Sequence, residues 1–510
     1  MLIARPEPRR SVGSRLRPWL PDLVFFGIIL ALVVTWVVGI PRFGSPDEPA
    51  HVFKAYGTAH GQLLGDPAPT FSSNYRFYDG PPELGIGNIL CYVFKEDIPA
   101  GCEGAPNAGH LSTAATYPPY YYGLVGGTAR LVGQDVSVRA FRLVSAFSCT
   151  VALAAAFALL RRSRGRRWAP LTLISLTPMA LFMMASVNPN SIEIAGFILI
   201  WALLVRMCTD VELSPRFALA SGVVSGAIVM SRTISVVWLV CVAFIALIAV
   251  APGRRRQLFR WPIILRIMGP LAVSGIASLV WLRYSSFQVS DDRAAVDIGL
   301  GDVVGRSIDR LPEYYRQAIG ILGWLDTRLP FVVYAGWAVA LIAVALITLI
   351  RSSTRDWLAV AAVVAIWLGL PLAINAATAT RAGLTFQGRY TLPILAGLTF
   401  LPMFRIHRRP FADGVDTAVR QALMHLALVI ITVAEVAGFW QMLRRFSVGA
   451  HGKVVLTGPL PWHPSIQPMV LIALNAVVMI ALCIATVWFT RRPASQPDDA
   501  MTNHLDQSMM

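Results

Sequence analysis

Two adjacent carboxylates, Asp47 and Glu48, stand between Pro46 and Pro49 in the string Ser45-Pro46-Asp47-Glu48-Pro49-Ala50-His51, directly after the first apolar stretch, 23–40. Charged groups at the mouth of a membrane helix are costly to place unless they bind or transform something. Pro49 predicts a helix that it opens and that runs to about His60, with Glu48 extended ahead of it and both carboxylates at its positive end. The plain use of such a pair is to cap the helix and complement its dipole, worth about 1 kcal/mol. One side chain suffices for a cap, however, and His51, Lys54 and Thr58 continue a polar stripe on the same helix. Asp47 is therefore expected to do chemistry, with Glu48 beside it. That chemistry is either abstraction of a proton from an incoming hydroxyl as general base, or a share in holding a divalent cation such as Mg²⁺ or Mn²⁺. The residues leave the choice open.

A second polar group interrupts an apolar region further on. Asn188 and Asn190 flank Pro189 where two apolar stretches meet, a sequence suited to a turn. Glu193 follows one helical turn later, and a carboxylate inside an apolar stretch marks a functional site by default.

The elements that must position these groups are membrane helices. Of the 510 residues, 55% are hydrophobic and 14% charged, and the mean hydropathy is +0.59, values that exclude an ordinary soluble domain. The formal charge of +16 comes almost wholly from arginine in short runs flanking apolar spans, which points to membrane orientation and not to nucleic acid. A hydrocarbon core of about 30 Å takes about 20 apolar residues per helix. That template predicts about twelve spans, at 23–40, 138–160, 168–187, 191–207, 217–232, 234–250, 262–282, 329–350, 357–376, 389–404, 419–441 and 468–489. The first span has no small-residue cleavage site after it and is expected to stay as an anchor.

With a cytoplasmic N-terminus, 1–22, the arginine clusters at 161–167, 254–256, 405–409 and 491–492 all fall in the cytoplasm, as does the polar tail, 491–510, which reads as disordered. The count holds only if 117–132 does not cross. That segment is expected to lie in the outer interface, with Tyr117, Tyr120, Tyr121 and Tyr122 at headgroup level. Two sizeable loops, 41–135 and 283–328, then face outward. The second, with Asp291, Asp292, Asp297, Asp302, Asp309 and Glu313 offset by arginines, reads as a solvated cover whose Leu311-Pro312-Glu313-Tyr314-Tyr315 stretch could close as a lid. Cys91 and Cys102 share the first loop, where an oxidising exterior permits a disulfide, the alternative being two free thiols. Neither has zinc-site spacing with histidines.

The Ser-Pro-Asp-Glu-Pro-Ala-His string, the Tyr117-Pro118-Pro119-Tyr120-Tyr121-Tyr122 helix, the Asn188-Pro189-Asn190 turn and the late Gln387-Gly388-Arg389-Tyr390-x-x-Pro393 segment together resemble the bacterial DUF2142 family. That family is in turn similar to the GT-C superfamily of membrane glycosyltransferases. The resemblance spans 23–404, leaving 405–490 as C-terminal helices, and implies an all-α polytopic GT-C-like fold with juxtamembrane helices in the first outer loop. It also implies inverting transfer of a sugar from a polyprenyl-phosphate donor to a cell-wall glycan, glycolipid or protein acceptor at the bacterial cell membrane, with Asp47 as base. A lipid-phosphate leaving group needs cations beside an apolar channel. Arg389 and Arg232, at the outer ends of spans, are the expected contacts, with Lys54 a third. Gln387, Tyr390, Tyr117, Tyr121, His51, Asn188, Asn190 and Glu193 complete the expected substrate-binding set. The competing classes are a transporter or flippase of lipid-linked glycans, which predicts two related halves that the sequence lacks, and a non-catalytic assembly partner.

Overall fold

The structure is a computed structural model in which residues 19–68, 75–102, 109–288, 298–350, 352–405 and 415–491 are described. The N-terminal arginines, Asp291, Asp292, Arg293, Asp297, Arg408, Arg409 and the tail after Arg491 lie outside the described residues. The described chain is almost wholly helical. It begins with α1 (Leu20–Gly39), α2 (Glu48–Ala59), α3 (Tyr120–Leu131), α4 (Val138–Arg161), α5 (Pro178–Met184) and α6 (Pro189–Thr209). Next come α7 (Pro215–Ser231), α8 (Ser235–Ala249), α9 (Pro252–Leu258), α10 (Trp261–Gln288), α11 (Leu300–Asp309) and α12 (Leu311–Gly320). The last five are α13 (Phe331–Leu349), α14 (Thr354–Ala382), α15 (Leu392–Arg405), α16 (Val415–Val448) and α17 (Pro468–Arg491). Two small antiparallel sheets, of three and two strands, sit in the loops at 66–112 and 321–328.

Eight of these helices are long and apolar enough to cross a membrane: α1, α4, α6, α10, α13, α14, α16 and α17. The protein is a polytopic membrane protein. The other four expected spans join the same two ends of the bundle in shorter or broken form. The stretch 168–187 divides into a 3₁₀ helix, Arg166–Ser175, and α5, because Pro170 and Pro178 each remove a backbone donor. Broken helix at membrane depth survives only where other protein covers it, and every residue of α5 is buried. The stretch 389–404 likewise begins as a 3₁₀ turn, Gly388–Thr391, before α15. Helices α7 and α8 have only 17 and 15 residues, yet Arg232 between them reaches Glu193 near the start of α6, while Arg254 after α8 reaches the backbone of Asp210 beyond its end.

The basic end is one surface. Arg161 and Arg162, at the end of α4, pair with Asp22 at the start of α1, and Arg206 at the end of α6 donates to the carbonyl of Leu159 at 3.1 Å. Asp47, after the end of α1, lies at the opposite end of the bundle.

At that opposite end, α2 and α3 form the expected juxtamembrane pair. With 12 residues, α3 is too short to cross, and it lies tight against α2: a Cβ on Gly126 would sit 2.0 Å from the carbonyl oxygen of Ala55. Cys91 and Cys102 are joined in a disulfide. The loop it closes is pinned by Arg445 of α16, fully buried, which donates to the carbonyls of Tyr92 at 2.8 Å and Ile98 at 2.6 Å and to Asp326 at 3.1 Å. The C-terminal helices belong to the same bundle, since Trp36 of α1 donates to Glu435 of α16 at 3.1 Å.

Candidate functional site

Helix α2 starts one residue earlier than its prolines suggest, at Glu48, and Asp47 occupies its N-cap position. Asp47 does not cap it. Its backbone is left-handed, with φ of 62°, a conformation that Asp tolerates better than most residues, and its side chain makes no bond to the helix amides. The carboxylate turns instead to Arg389, with Oδ2 3.2 Å from Nη2. The Asp47 side chain is 48% exposed and that of Arg389 only 2%. A half-open carboxylate thus lies on a guanidinium that the fold otherwise encloses, and the Arg389 Nε is buried with no partner among the described residues.

Arg389 is aimed by its own segment. Gly388 donates its N–H to Gln317 of α12 at 2.7 Å, and a Cβ on Gly388 would fall 1.9 Å from the carbonyl oxygen of Tyr314. Helix α12 is therefore more than part of the expected solvated cover, since it holds the Gly388–Arg389 turn from outside. Asn375 of α14 braces α11 and α12, donating to Ser307 at 3.0 Å and Tyr314 at 2.9 Å.

Tyr390 carries cations on its ring. The guanidinium of Arg232 lies 4.5 Å from its centroid and that of Arg389 5.5 Å. Arg232 is fixed by a buried network around Glu193, whose oxygens accept from Arg232 at 2.5 Å, Asn190 at 2.7 Å, Ser235 at 2.5 Å and Trp238 at 3.0 Å. Asn188 caps α6, its Oδ1 accepting from the amide of Asn190 at 3.0 Å, and the Oδ1 of Asn190 is buried with no partner among the described residues. The turn and the intramembrane carboxylate are thus one device that holds Arg232 in place.

His51 and Tyr117 face the same group. The His51 Nδ1 lies 2.8 Å from the Tyr122 hydroxyl, and its ring stands edge-on to Tyr117 at 5.6 Å. Burial first, then Arg389, Arg232 and Lys54, push the His51 pKa down to about 3, against the opposing pull of Asp47. Its ring is neutral. Tyr117 feels Arg232, Tyr390, Asp47 and Arg389, but burial dominates and raises its phenol. Lys54 is fully buried, donates to the carbonyl of Ala115, and lies 5.2 Å from the rings of Tyr122 and Trp281. Burial holds its ammonium well below the ordinary lysine range.

The sequence grouped Glu48 with Asp47, and the fold separates them. Glu48 is fully buried, accepts from Arg142 Nε at 2.8 Å and Nη2 at 2.6 Å, and accepts the Val187 amide at 3.1 Å. Both of its oxygens are engaged, and they tie the turn to α4 and to the backbone of Val187. Tyr121 is also structural here, bonding to Ser145 at 3.0 Å in a chain that continues to Ser191. Gln387 borders the arginine turn with its Oε1 buried and without a partner among the described residues. The residue that sequence reasoning missed is Arg142, which also donates to the carbonyls of Ile40 and Pro41 at 2.7 and 2.8 Å. An arginine five residues into the expected span 138–160 was the available signal. Among the described residues, the acid and histidine side chains close enough to share an ion are Glu96 and Asp97 on the disulfide loop and His451 just past α16, and they are mostly exposed.

A family model described as "Predicted membrane protein (DUF2142)" matches residues 30–398. Comparison with curated proteins gives no match. Among solved structures the chain is similar to ArnT from Cupriavidus metallidurans in the apo state, at 12% identity and a TM-score of 0.44, covering 96% of this chain and 79% of that one. The same protein bound to undecaprenyl phosphate matches at 12% identity and a TM-score of 0.44, covering 94% of this chain and 77% of that one. The archaeal oligosaccharyltransferase AglB from Archaeoglobus fulgidus, in complex with an inhibitory peptide and a dolichol-phosphate, matches at 13% identity and 0.34, covering 87% and 57%.

Proposed function

The chain belongs to the DUF2142 family of predicted membrane proteins, and we propose that it is an inverting membrane glycosyltransferase. In this reading it moves a sugar from a polyprenyl-phosphate donor to a hydroxyl of a cell-envelope glycan, glycolipid or protein, on the extracytoplasmic side of a bacterial cell membrane. The observation that carries the reading is the contact of a half-exposed carboxylate, Asp47, with a buried arginine, Arg389, whose Nε has no partner among the described residues. Such an arrangement suits a reaction that needs a base and an anion receptor side by side.

The donor phosphate takes Asp47's place on Arg389, since the guanidinium fork matches phosphate oxygens. Arg232, across the Tyr390 ring, adds a second positive charge. Asp47, released from its ion pair, accepts the proton of the acceptor hydroxyl. The hydroxyl oxygen bonds to the anomeric carbon from the face opposite the phosphate, the bond from that carbon to the phosphate oxygen breaks, and the polyprenyl phosphate leaves with the electron pair. The neutral His51 and the Tyr117 phenol shape the wall beside Asp47 without adding charge. The extracytoplasmic side is supported by the gathering of the arginine clusters at the other end of the bundle.

The donor set around Asp47 does not suit a divalent cation. The Asp47 carboxylate already meets the Arg389 guanidinium, and the carboxylates of Glu48 and Glu193 are already paired with arginines. No step runs through a metal.

The test is transfer by the purified protein from radiolabelled polyprenyl-phosphate sugars. Asp47→Asn is expected to lower turnover at least 100-fold. Equal turnover in wild type and variant removes Asp47 from its role, movement of label without a new glycosidic bond favours a transporter, and absence of both favours an assembly partner.

A further inference from the structure

Beside Arg142, the partner of Glu48, a cavity of about 340 Å³ opens between the end of α1 and the start of α4. Arg42, Arg139, Arg142, Glu83, Ser137 and His463 supply its polar lining, and its volume is in the range of small-ligand sites. None of the reacting groups invoked above lines it. Arg142 forms part of its wall with its charge balanced by Glu48. Arg42 and Arg139 then face Glu83 alone, which leaves the cavity with a surplus of positive charge before His463 is counted.

Two features make this a prepared anion receptor rather than a loose basic surface. Arg42 is held in place, donating to the Gly85 carbonyl at 2.8 Å with its guanidinium 4.8 Å from the Phe43 ring centre. Arg139 is exposed and makes no ion pair among the described residues, so its fork is available. The first turn of the 24-residue helix α4 opens beside it, with Ser137 accepting only the Ala140 amide, and such an end favours anions. Depth supplies the ligand's class. The lining includes Ile40 and Pro41 just past the end of α1, and Val138 at the start of α4, which is the level of headgroup phosphates at the end of spanning helices.

We infer that this cavity is a second anion site, taking a phosphate group at the membrane surface through Arg42 and Arg139, separate from Asp47 and Arg389. The phosphate is that of an anionic phospholipid headgroup or a free phosphate ion.

The test uses the full chain in detergent and nanodiscs with two probes and no transferase assay, so its outcome is independent of the role given to Asp47. Native mass spectrometry measures retention of dioleoylphosphatidylglycerol against dioleoylphosphatidylcholine, and ³¹P line broadening measures binding of inorganic phosphate. The variants are Arg139→Gln, whose side chain has no ion pair to lose, and the Arg42→Gln/Arg139→Gln pair, each checked for an unchanged melting temperature. Loss of one charge-assisted contact is expected to weaken binding about tenfold. Preferential phosphatidylglycerol retention that falls in the variants supports the lipid source, and phosphate broadening that falls in the variants supports the free ion. Equal retention of both lipids, with neither probe responding to either variant, overturns the inference.

Discussion

The carboxylate of Asp47 meets the guanidinium of Arg389 at 3.2 Å across 342 positions of sequence. One stands on the turn after α1 and the other on the turn before α15, so the candidate centre exists only in the folded bundle.

Removing the fork from that contact is the first prediction. Arg389→Gln should weaken undecaprenyl phosphate binding at least tenfold, since a charge-assisted pair of bonds is lost. Arg389→Lys restores the charge without the planar fork and should recover only part of it. Equilibrium binding of the lipid to purified variants measures both, and wild-type affinity in Arg389→Gln would take the phosphate away from this arginine.

The pair formed by Glu48 and Arg142 should behave as structure. Taking one partner from a buried ion pair leaves the other charged and unsatisfied, at a cost of about 3–5 kcal/mol. Arg142→Met also strips the carbonyls of Ile40 and Pro41 of their donors, so its loss should exceed that of Glu48→Gln. Melting temperatures in detergent give the comparison. A fully stable Glu48→Gln that nevertheless lacks transferase activity would return Glu48 to the reaction.

The parts legible in the sequence were those governed by composition and local punctuation. Hydropathy marked the spans, prolines marked the start of α2 to within a residue, and the arginine count kept α3 out of the bilayer. What stayed hidden were partners set by long-range packing. Glu48 looks identical to Asp47 in its neighbourhood, and only Arg142, 94 positions on, distinguishes a buried positioning carboxylate from an open one. The breaks at Pro178 and before α15 were likewise invisible to a hydropathy window, because apolar residues fill both the helical and the broken turns. The role of α12 was missed for the same reason, since its charges describe its outer face and not Gln317, which holds Gly388.

Gly388 tests that last relationship. An alanine there would bring its Cβ within 1.9 Å of the Tyr314 carbonyl oxygen, a distance no backbone contact tolerates, so α12 and the arginine turn must separate. Overpacking of this kind costs about 1–3 kcal/mol, and the displaced Arg389 should lose lipid-phosphate affinity in proportion. A variant that melts and binds like wild type would show that the turn has room.

His51 gives a pH dependence whose sign follows from its burial. Its pKa falls from 6.5 in the unfolded chain to about 3 in the fold, so the unfolded state binds one more proton between those values. The stabilisation from keeping the ring neutral is complete above about pH 6.5 and is lost as pH falls toward 3, at up to about 1.4 kcal/mol per pH unit. Other groups add slopes of their own, and the contribution of His51 is isolated by difference. His51→Gln keeps a polar side chain beside Tyr122 but cannot take up the proton, so its melting temperature should fall less steeply than wild type from pH 6.5 to 4.5. Parallel curves for the two proteins would mean that the imidazole is hydrated or charged in the native state, and the wall beside Asp47 would then carry a proton of its own.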